Sequence, residues 1–279
     1  MPGSKQGSKA YHPFGVDPVI MGIVNVTPDS FSDGGKYYNK NRAIEHGLRL
    51  AQEGAVILDI GGESTRPGAQ IVDIQEEIQR IVPVIEGLRG KVPFISIDTR
   101  NAQTMRAALK AGANAINDIS GLAYDSESLA VASEAQVPVF LMHSKGTPQD
   151  MQKNPSYNNV LDDIYAFFEE RLDACRTARI ETKNVILDIG IGFGKTLEHN
   201  LLLLRNIKRF HDFGCPLLLG TSRKSFISAA SQGEPSESRL PGSLASALWG
   251  LSQGVQIFRV HDVAETAQAF KVFQAIQAS

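Results

Sequence analysis

Side chains that can bind a ligand or stabilise charge recur in this chain directly after short apolar runs. Each of eight such runs ends in polar or charged residues, and an amphipathic stretch separates it from the next run. The polar residues, in chain order, are Asn25; Glu63, Ser64, Thr65 and Arg66; Asp98 and Thr99; Asn117 and Asp118; His143; Asp188; Ser222, Arg223, Lys224 and Ser225; and Arg259 and His261. One residue of this kind is weak evidence, but eight runs with the same kind of ending favour one shared pocket.

These side chains predict the chemical class of the ligand. Two carboxylates, Asp98 and Asp188, can accept hydrogen bonds from the donor-rich edge of an amidine-like or guanidine-like heterocycle. Asn117 can both donate and accept, which suits ring nitrogens of mixed character. The side chains that can hold an anion such as pyrophosphate are Lys224, Arg259, His261 and Asn25. We therefore expect a flat polar heterocycle that carries an anionic group.

Several of these residues also have a simpler structural interpretation. Asp98 can be the N-cap of the helix that follows it, since Asp is a preferred capping residue. His143 can be a structural histidine, and Arg66 and Lys224 can be solvated surface charges. Phe31 can be an ordinary core residue. These alternatives stay open at the level of the sequence.

The apolar runs themselves predict eight β-strands. Several are continuous Val, Ile and Leu runs without alternation, which is typical of strands covered on both faces. The predicted strands are Val19–Val24, Val56–Ile60, Phe94–Ile97, Ala115–Asn117, Pro138–Met142, Val185–Asp188, Leu217–Gly220 and Val255–Val260. The predicted helices between and after them are Arg42–Glu53, Gln75–Arg89, Ala102–Ala111, Asp162–Arg179, Leu197–Phe210, Ser243–Gln253 and Asp262–Ala278.

Eight β-then-α units in 279 residues favour an α/β fold, a single (β/α)8 TIM barrel. In such a barrel the C-terminal ends of all strands open onto one face, and that face carries the active site. A doubly wound open sheet is the competing architecture. It is disfavoured because no dinucleotide-binding glycine fingerprint follows the first strand.

Composition excludes several classes of protein. Lys and Arg total 28 against 30 Asp and Glu, and a net charge of −2 does not favour a nucleic-acid or membrane-surface partner. The two cysteines, Cys175 and Cys215, lack metal-ligand spacing and are too few for a disulfide framework. No apolar run approaches the roughly 20 residues that span a bilayer, and residues 1–10 lack an apolar signal-peptide core. We expect a cytoplasmic protein with a flexible leader over residues 1–15 and one barrel domain over residues 16–279.

Two loops carry the densest clusters of Gly, Pro, Ser and Asp. They span Thr27–Gly35, after the first strand, and Gly61–Ala69, after the second. Such a composition predicts mobile loops. Phe31 in the first loop is placed to close over an aromatic substrate.

The longest motifs resemble those of the dihydropteroate synthases, a family of pterin-binding TIM barrels. Residues 21–35 resemble the first signature of that family, and residues 59–68 resemble the second. The shorter matches are Ile97-Asp98-Thr99, Ile116-Asn117-Asp118-Ile119, Leu141-Met142-His143, Ser222-Arg223-Lys224-Ser225 and Arg259-Val260-His261-Asp262. The resemblance extends from about Val19 to Val263, nearly the whole chain.

The resemblance implies an activity and a set of site residues. Enzymes of this family condense 6-hydroxymethyl-7,8-dihydropterin pyrophosphate with p-aminobenzoate in folate biosynthesis, and sulfonamides compete with p-aminobenzoate. The residues that match the pterin pyrophosphate site are Thr65, Asp98, Asn117, Ile119, Met142, Asp188, Gly220, Lys224, Arg259 and His261. Those that match the p-aminobenzoate site are Phe31, Thr65, Arg66, Pro67 and Ser225. The resemblance also implies Mg²⁺ near Asn25 and a homodimer formed through helices on the far side of the barrel.

We expect the chemistry to depend on Asp98, Asp188, Lys224, Arg259 and His261. The chain departs from the family at Ile189 and Ile191, where the usual residues are proline and phenylalanine. Ile191 removes an aromatic face near the expected pterin pocket, which puts pterin affinity and the loop shape in question. Two other functions stay open: a pterin-binding methyltransferase that acts on methyltetrahydrofolate, and an inactive pterin-binding paralogue.

Overall fold

Eight parallel strands form a closed barrel in the part of the chain that the structure describes. The computed structural model describes residues 13–14, 18–27, 36–64, 69, 71–147 and 149–279, with the backbone alone for residues 36–39. Each strand pairs with the next along the chain, and the last pairs with the first. The strands are β1 (Val19–Asn25), β2 (Ile57–Gly61), β3 (Phe94–Asp98), β4 (Ala115–Asp118), β5 (Val139–Met142), β6 (Val185–Asp188), β7 (Leu217–Leu219) and β8 (Ile257–Val260). The predicted TIM barrel is confirmed, and the open-sheet alternative is wrong.

The inner face of the barrel has an apolar layer and a polar layer. Side chains in a strand alternate between faces, so residues two positions apart face the interior together. The apolar inner cluster contains Phe14, Val19, Met21, Ile57, Ala115, Phe140, Ile186, Leu218 and Ile257. Two residues beyond Ile57, Ala115, Ile186 and Ile257 lie Asp59, Asn117, Asp188 and Arg259. The polar layer therefore lies at the C-terminal ends of the strands, directly above an apolar floor.

The outer faces of the strands pack against a ring of helices, which is why the strands are apolar on both faces. A large buried cluster joins strand residues such as Leu58, Ile97 and Leu187 to helix residues such as Ile81 and Phe168. The helices in the described part of the chain are α1 (Lys36–Glu53), α2 (Ile74–Leu88), α3 (Ala102–Ala111), α4 (Ser128–Ala135), α5 (Val160–Thr177), α6 (Leu197–Arg205), α7 (Ser225–Ala230), α8 (Leu240–Ser252) and α9 (Val263–Ala278).

All seven predicted helices are present, six of them with shifted boundaries, and the described residues form two further helices. The predicted helix Leu197–Phe210 is divided into α6 and a 3-10 segment, Ile207–Phe213. The sequence did not predict α4, whose eight residues are mostly Ala and Ser and form only a weak amphipathic pattern. It also missed α7, which has only six residues. Short helices of this kind form because neighbouring elements hold them, so sequence periodicity does not reveal them.

Phe14 closes the bottom of the barrel. Its ring lies edge-on to Phe94 at 4.9 Å and stacks on Phe140 at 5.7 Å between ring centroids. Phe14 falls within the predicted leader, but most of that segment lies outside the described residues, so a division at residue 15 stays a prediction. In the described part of the chain, no helix combines the length and apolarity that crossing a membrane would require.

Candidate active site

Arg259, on β8, joins the acidic side chains of two other strands. Its Nε donates to Asp59 Oδ2 at 2.6 Å, and its Nη2 donates to Asp98 Oδ2 at 2.7 Å. Asn117 Nδ2, on β4, donates to the same Asp59 oxygen at 3.0 Å. Three of the predicted site residues are therefore linked in one network, together with a carboxylate that the sequence did not single out.

The carboxyl group of Asp98 is poised between its charged and neutral forms. Burial raises its pKa to about 7, although the neighbouring Arg259 guanidinium acts in the opposite direction. Its Oδ1 is buried and has no hydrogen-bond partner among the described residues. Asp98 is not a helix cap: α3 has Asn101 at its N-cap, and the Ala102 N–H donates to Asp125 Oδ2 at 2.9 Å. A free buried acceptor in the barrel mouth fits a ligand that supplies N–H donors.

Asp188 and Lys224 form the opposite part of the pocket. Asp188 Oδ1 accepts a hydrogen bond from the Gly190 N–H at 2.8 Å, and burial raises the pKa of its carboxyl group. Burial lowers the pKa of Lys224 to about 8, while Asp188 opposes the shift. The Lys224 amine donates to the Ile191 carbonyl and lies 4.5 Å from the centre of the Phe193 ring. Lys224 is therefore held in place and is not a solvated surface charge.

Gly220, directly after β7, lies next to these side chains. A Cβ atom added at this position would lie 3.8 Å from Lys224 Nζ and 3.9 Å from Asp188 Oδ2. The predicted apolar contacts to the ligand, Ile119 and Met142, are buried near the ends of β4 and β5. The structure thus brings the acidic, amide and basic residues of the predicted pterin site to one end of the barrel.

The loop after β6, Gly190–Gly194, is fixed by side chains that bind each of its carbonyl groups. Lys195 Nζ donates to the carbonyls of Gly190 at 2.9 Å and Phe193 at 3.0 Å. The other three bonds come from Lys224 to Ile191, from Gln152 to Gly192 and from Tyr157 to Gly194. Gly190, Gly192 and Gly194 all have positive φ, a conformation that other residues rarely adopt. The sequence gave no role to Lys195, yet it organises the loop that holds Lys224.

His143 belongs to this structural network. It is buried, its ring lies edge-on to Phe167 at 5.0 Å, and its Nδ1 lies 3.0 Å from Lys195 Nζ. Burial lowers the pKa of His143 to about 2, and the Lys195 charge adds to the shift. The imidazole is therefore neutral, with Nδ1 as the acceptor for Lys195. The structural interpretation of His143 fits this environment.

The expected effect of Ile191 on the pterin pocket is wrong. The side chains of Ile189 and Ile191 are 1% and 0% exposed and belong to the large cluster between the barrel and the helices. Ile191 turns its carbonyl, not its side chain, toward Lys224. The aromatic ring beside Lys224 comes from Phe193 instead. The two departures therefore alter the packing behind the loop, and an aromatic face remains in the site.

His261 and Ser222 form the basic rim of the mouth. The Ser222 hydroxyl lies 3.0 Å from His261 Nδ1 and also accepts the His261 backbone N–H at 3.1 Å. Arg223, with φ of 59°, forms an ion pair with Asp262. These contacts join the turn after β7, which leads to Lys224, to the end of β8, which carries Arg259.

The residues predicted for the second substrate and for a metal are only partly described. Asn25 is half-buried at the end of β1, and Ser225 is exposed at the start of α7. Among the described residues, no group of three or more His, Cys, Asp or Glu side chains can hold a metal ion. A site at Asn25 would therefore depend on oxygen atoms from the substrate, as Mg²⁺ sites commonly do. The predicted residues that lie outside the described part of the chain are Phe31, Thr65, Arg66 and Pro67.

Asp59 is the site residue that sequence reasoning missed. It lies in the interior of the predicted second strand, whereas the predicted site residues other than Arg259 lie at or after the ends of their strands. The signal was nevertheless available, because Asp59 is the one charged residue in an apolar strand and faces inward with Ile57. By the same alternation, Asp118 points away from Asn117, and its Oδ1 accepts from the Ser120 N–H at 2.7 Å.

Comparison with known proteins identifies relatives of this chain. A sequence profile of the pterin binding enzymes matches residues 21–261. A dihydropteroate synthase of Haemophilus influenzae is 46% identical over 259 residues, which cover 92% of this chain and 94% of that protein. The crystal structure of Yersinia pestis dihydropteroate synthase with a sulfonamide drug complex is 44% identical, covers 94% of this chain and 95% of that one, and has a TM-score of 0.88. Xanthomonas albilineans dihydropteroate synthase with 4-aminobenzoic acid is 45% identical over 94% of both chains, with a TM-score of 0.89.

Proposed function

This chain belongs to the pterin binding enzymes and, within them, to the dihydropteroate synthases, and we propose that it makes 7,8-dihydropteroate. The substrates are 6-hydroxymethyl-7,8-dihydropterin pyrophosphate and p-aminobenzoate, and pyrophosphate is the second product. The observation that carries the proposal is the polar layer of the barrel, which combines two raised-pKa carboxyl groups with an amide and two basic side chains.

The pterin ring suits this layer because its edge carries amino and ring N–H donors. Asp98 and Asp188 accept from those donors when they are ionised, and Asn117 can donate and accept. Ile119 and Met142 supply apolar contacts to the ring. The pyrophosphate extends toward Arg259 and His261, where positive and donor groups lie at the rim.

The reaction is an alkyl transfer at the pterin methylene group. The amine nitrogen of p-aminobenzoate forms a bond to this carbon, the C–O bond breaks, and its electron pair leaves with pyrophosphate. The amine gives up one proton to water or to the departing pyrophosphate. Arg259 and His261 stabilise the charge that develops on the leaving group. Asp98 and Asp188 stabilise positive charge that spreads from the methylene into the ring. No covalent bond to the protein is needed.

The two substrates bind in a fixed order. Pterin pyrophosphate binds first, deep in the barrel, and p-aminobenzoate binds second. Phe31, Thr65, Arg66 and Pro67, which lie outside the described residues, shape the second subsite together with Ser225. A sulfonamide, which resembles p-aminobenzoate, competes for that subsite. The Yersinia pestis relative with its sulfonamide drug supports this assignment.

We also propose that Mg²⁺ binds at Asn25, with most of its ligands supplied by pyrophosphate and water. When bound, it would neutralise charge on the leaving group. Asn25, which pairs with Gly61 at the end of β2, can offer one amide oxygen to the ion. The described residues offer no group of three or more His, Cys, Asp or Glu side chains there, so a site shared with the substrate fits better than one made by the protein alone.

A homodimer is the assembly that we propose. Leu201, Leu202 and Trp249 are large apolar residues, each 41–45% exposed, and they lie on α6 and α8. Leu201 and Trp249 line a groove of about 520 Å³ whose lining also includes Phe226 and Ile227 of α7. A second copy of the chain is the occupant that we assign to this surface. Trp249→Lys should convert the dimer to a monomer in light scattering coupled to gel filtration, and a monomeric unmodified protein would contradict the assignment.

Release of pyrophosphate that depends on p-aminobenzoate tests the function. The synthase releases pyrophosphate only when both substrates are present, and a sulfonamide reduces the rate. A methyltransferase acting on methyltetrahydrofolate would release none, and no comparison supports that alternative. An inactive paralogue would bind the pterin and stay silent in this assay. Absence of release together with intact pterin binding would therefore overturn the proposal.

A further inference from the structure

Asp59 is a fully buried carboxylate in the middle of the polar layer, and the reaction described above gives it no role. Its exposed fraction is 0%, and its Oδ2 accepts hydrogen bonds from both Arg259 and Asn117. Its Oδ1 is buried without a hydrogen-bond partner among the described residues. A buried carboxylate that lacks some of its hydrogen bonds lowers the stability of the fold. The presence of Asp59 in an otherwise apolar strand therefore indicates a functional role.

The chemistry of a carboxylate fixes how Asn117 presents its amide. An ionised carboxylate can only accept, so the NH₂ group of Asn117 must be the end that faces Asp59. One N–H of that group is then taken by Asp59. The Oδ1 atom and the remaining N–H of Asn117 are left for the ligand. The amide cannot exchange the positions of its oxygen and nitrogen without losing the hydrogen bond to Asp59. Asp59 therefore determines which ring positions of a heterocycle Asn117 can recognise.

The same oxygen anchors Arg259. The guanidinium is held at two nitrogen atoms, by Asp59 at Nε and by Asp98 at Nη2. A pterin that donates hydrogen bonds to Asp98 competes with Arg259 for that carboxylate. Asp59 is completely enclosed by the barrel, and Ile57 below it belongs to the apolar floor. It can thus keep Arg259 in place when Asp98 turns to the ligand.

From these contacts we propose that Asp59 is a positioning residue, which sets the orientation of Asn117 and anchors Arg259 against the pull of the substrate diphosphate. The proposal rests on the proposed function, because it assigns Asn117 and Arg259 to the pterin and its leaving group. It adds a determinant of pterin specificity that lies beneath the binding surface.

Asp59→Asn is the variant that tests the proposal, because it keeps the shape of the side chain and removes the charge. An amide oxygen in place of Oδ2 can accept from both partners but carries no charge, so the contacts that orient Asn117 and anchor Arg259 become weaker. The affinity for 6-hydroxymethylpterin, measured by calorimetry, should fall about tenfold or more, since Asn117 and Arg259 no longer have a charged partner that fixes them. The kcat should also fall by about tenfold or more because the leaving group loses its anchored arginine. The KM for p-aminobenzoate should stay within about twofold of the unmodified value.

Glu77→Gln is the matched control. Glu77 is also a buried carboxylate with one unpartnered oxygen, and its charge also raises the pKa of Asp98. Its hydrogen bonds go to Asn101 and Thr104, not to Asn117 or Arg259. Glu77→Gln should therefore lose stability, yet it should keep pterin affinity and kcat within about threefold. Equal losses in both variants would assign the effect to charge or folding and overturn the positioning role.

The result can be separated from a failure of the proposed function. If the unmodified protein does not bind 6-hydroxymethylpterin, the proposed function fails. If the unmodified protein and Asp59→Asn bind it equally, only the role of Asp59 fails. Should Asp59→Asn not fold, protein labelled with ¹⁵N-asparagine provides a second test. The Asn117 side-chain N–H, assigned through Asn117→Ser, should be protected from exchange before and after pterin is added, and its loss of protection would contradict the proposal.

Discussion

Replacing Lys195 with methionine tests whether one buried amine holds the loop that positions Lys224 and Asp188. Lys195 is 3% exposed, and methionine approximates the length of its apolar stem. The substitution removes the donor to the carbonyls of Gly190 and Phe193 and to the Nδ1 of His143. The loop contributes the Gly190 N–H to Asp188 and the Ile191 carbonyl to Lys224, so the active site should be affected as well as stability.

The size of the effect follows from counting the acceptors that lose their partner. Gly190 O keeps the backbone N–H of Phe193 at 3.1 Å, whereas Phe193 O and His143 Nδ1 depend on the amine. An unsatisfied buried acceptor costs about 1–3 kcal/mol, so two would cost about 2–6 kcal/mol. Methionine also avoids the burial of an amine, whose pKa burial lowers well below its ordinary value. We therefore expect a net loss of about 2–4 kcal/mol in the free energy of unfolding.

Urea unfolding measures that loss, and steady-state kinetics measure its effect on the site. The kcat/KM for the pterin substrate should fall by about tenfold or more, because Lys224 and Asp188 lose contacts made by the loop. Lys208→Met is the control, since Lys208 is exposed and is not the donor of the hydrogen bonds that hold the Gly190–Gly194 loop. A loss of less than about 1 kcal/mol with unchanged kinetics would show that the loop keeps its shape without the amine.

Three further predictions concern titration and packing. Burial raises the pKa of Asp98 to about 7, so between the ordinary pKa of an aspartate and about pH 7 the folded protein binds a proton that the unfolded chain has released. The stability that this group contributes is therefore present at low pH and is lost as the pH rises through about 7. The free energy of unfolding should decline less steeply from about pH 5 to pH 8 in Asp98→Asn than in the unmodified protein, and equal slopes would contradict this. Because burial lowers the pKa of Lys224 to about 8, kcat/KM for the pterin substrate should decline above that pH, and Lys224→Arg should remove the decline while lowering the overall rate. Ile191→Phe restores the residue usual in the family but overfills a 0% exposed position, so urea unfolding should show a loss of about 1–3 kcal/mol without tighter pterin binding.

Most of the architecture could be predicted because barrel strands leave a strong local signal. A strand buried on both faces must be apolar, and the polar residues that follow it mark the C-terminal end of the barrel. Asp98, Asn117, Asp188 and Arg259 were identified in this way, and the structure brings them to the same layer. The conclusion needed only the order of elements and the closure of the sheet, not the details of any side-chain contact.

The remaining features depend on contacts between residues that are far apart in the sequence. Asp59 and Arg259 are 200 residues apart, and only the closed sheet reveals that they form an ion pair. Ile191 lies between two glycines with positive φ, and its carbonyl accepts from Lys224 while its side chain packs in the large buried cluster. Lys195 resembles an ordinary surface lysine until the loop and His143 enclose it. Sequence patterns indicate which face of an element is buried, but not which distant partner a buried polar group meets.

A crystal structure of the protein with a bound pterin is the most direct test of the account. Asp98, Asn117, Asp188 and Lys224 are expected within hydrogen-bonding distance of the ring, with Arg259 next to the methylene substituent. A pterin bound away from the polar layer, for instance in the groove beside Trp249, would contradict the claim that the strand ends form its binding site.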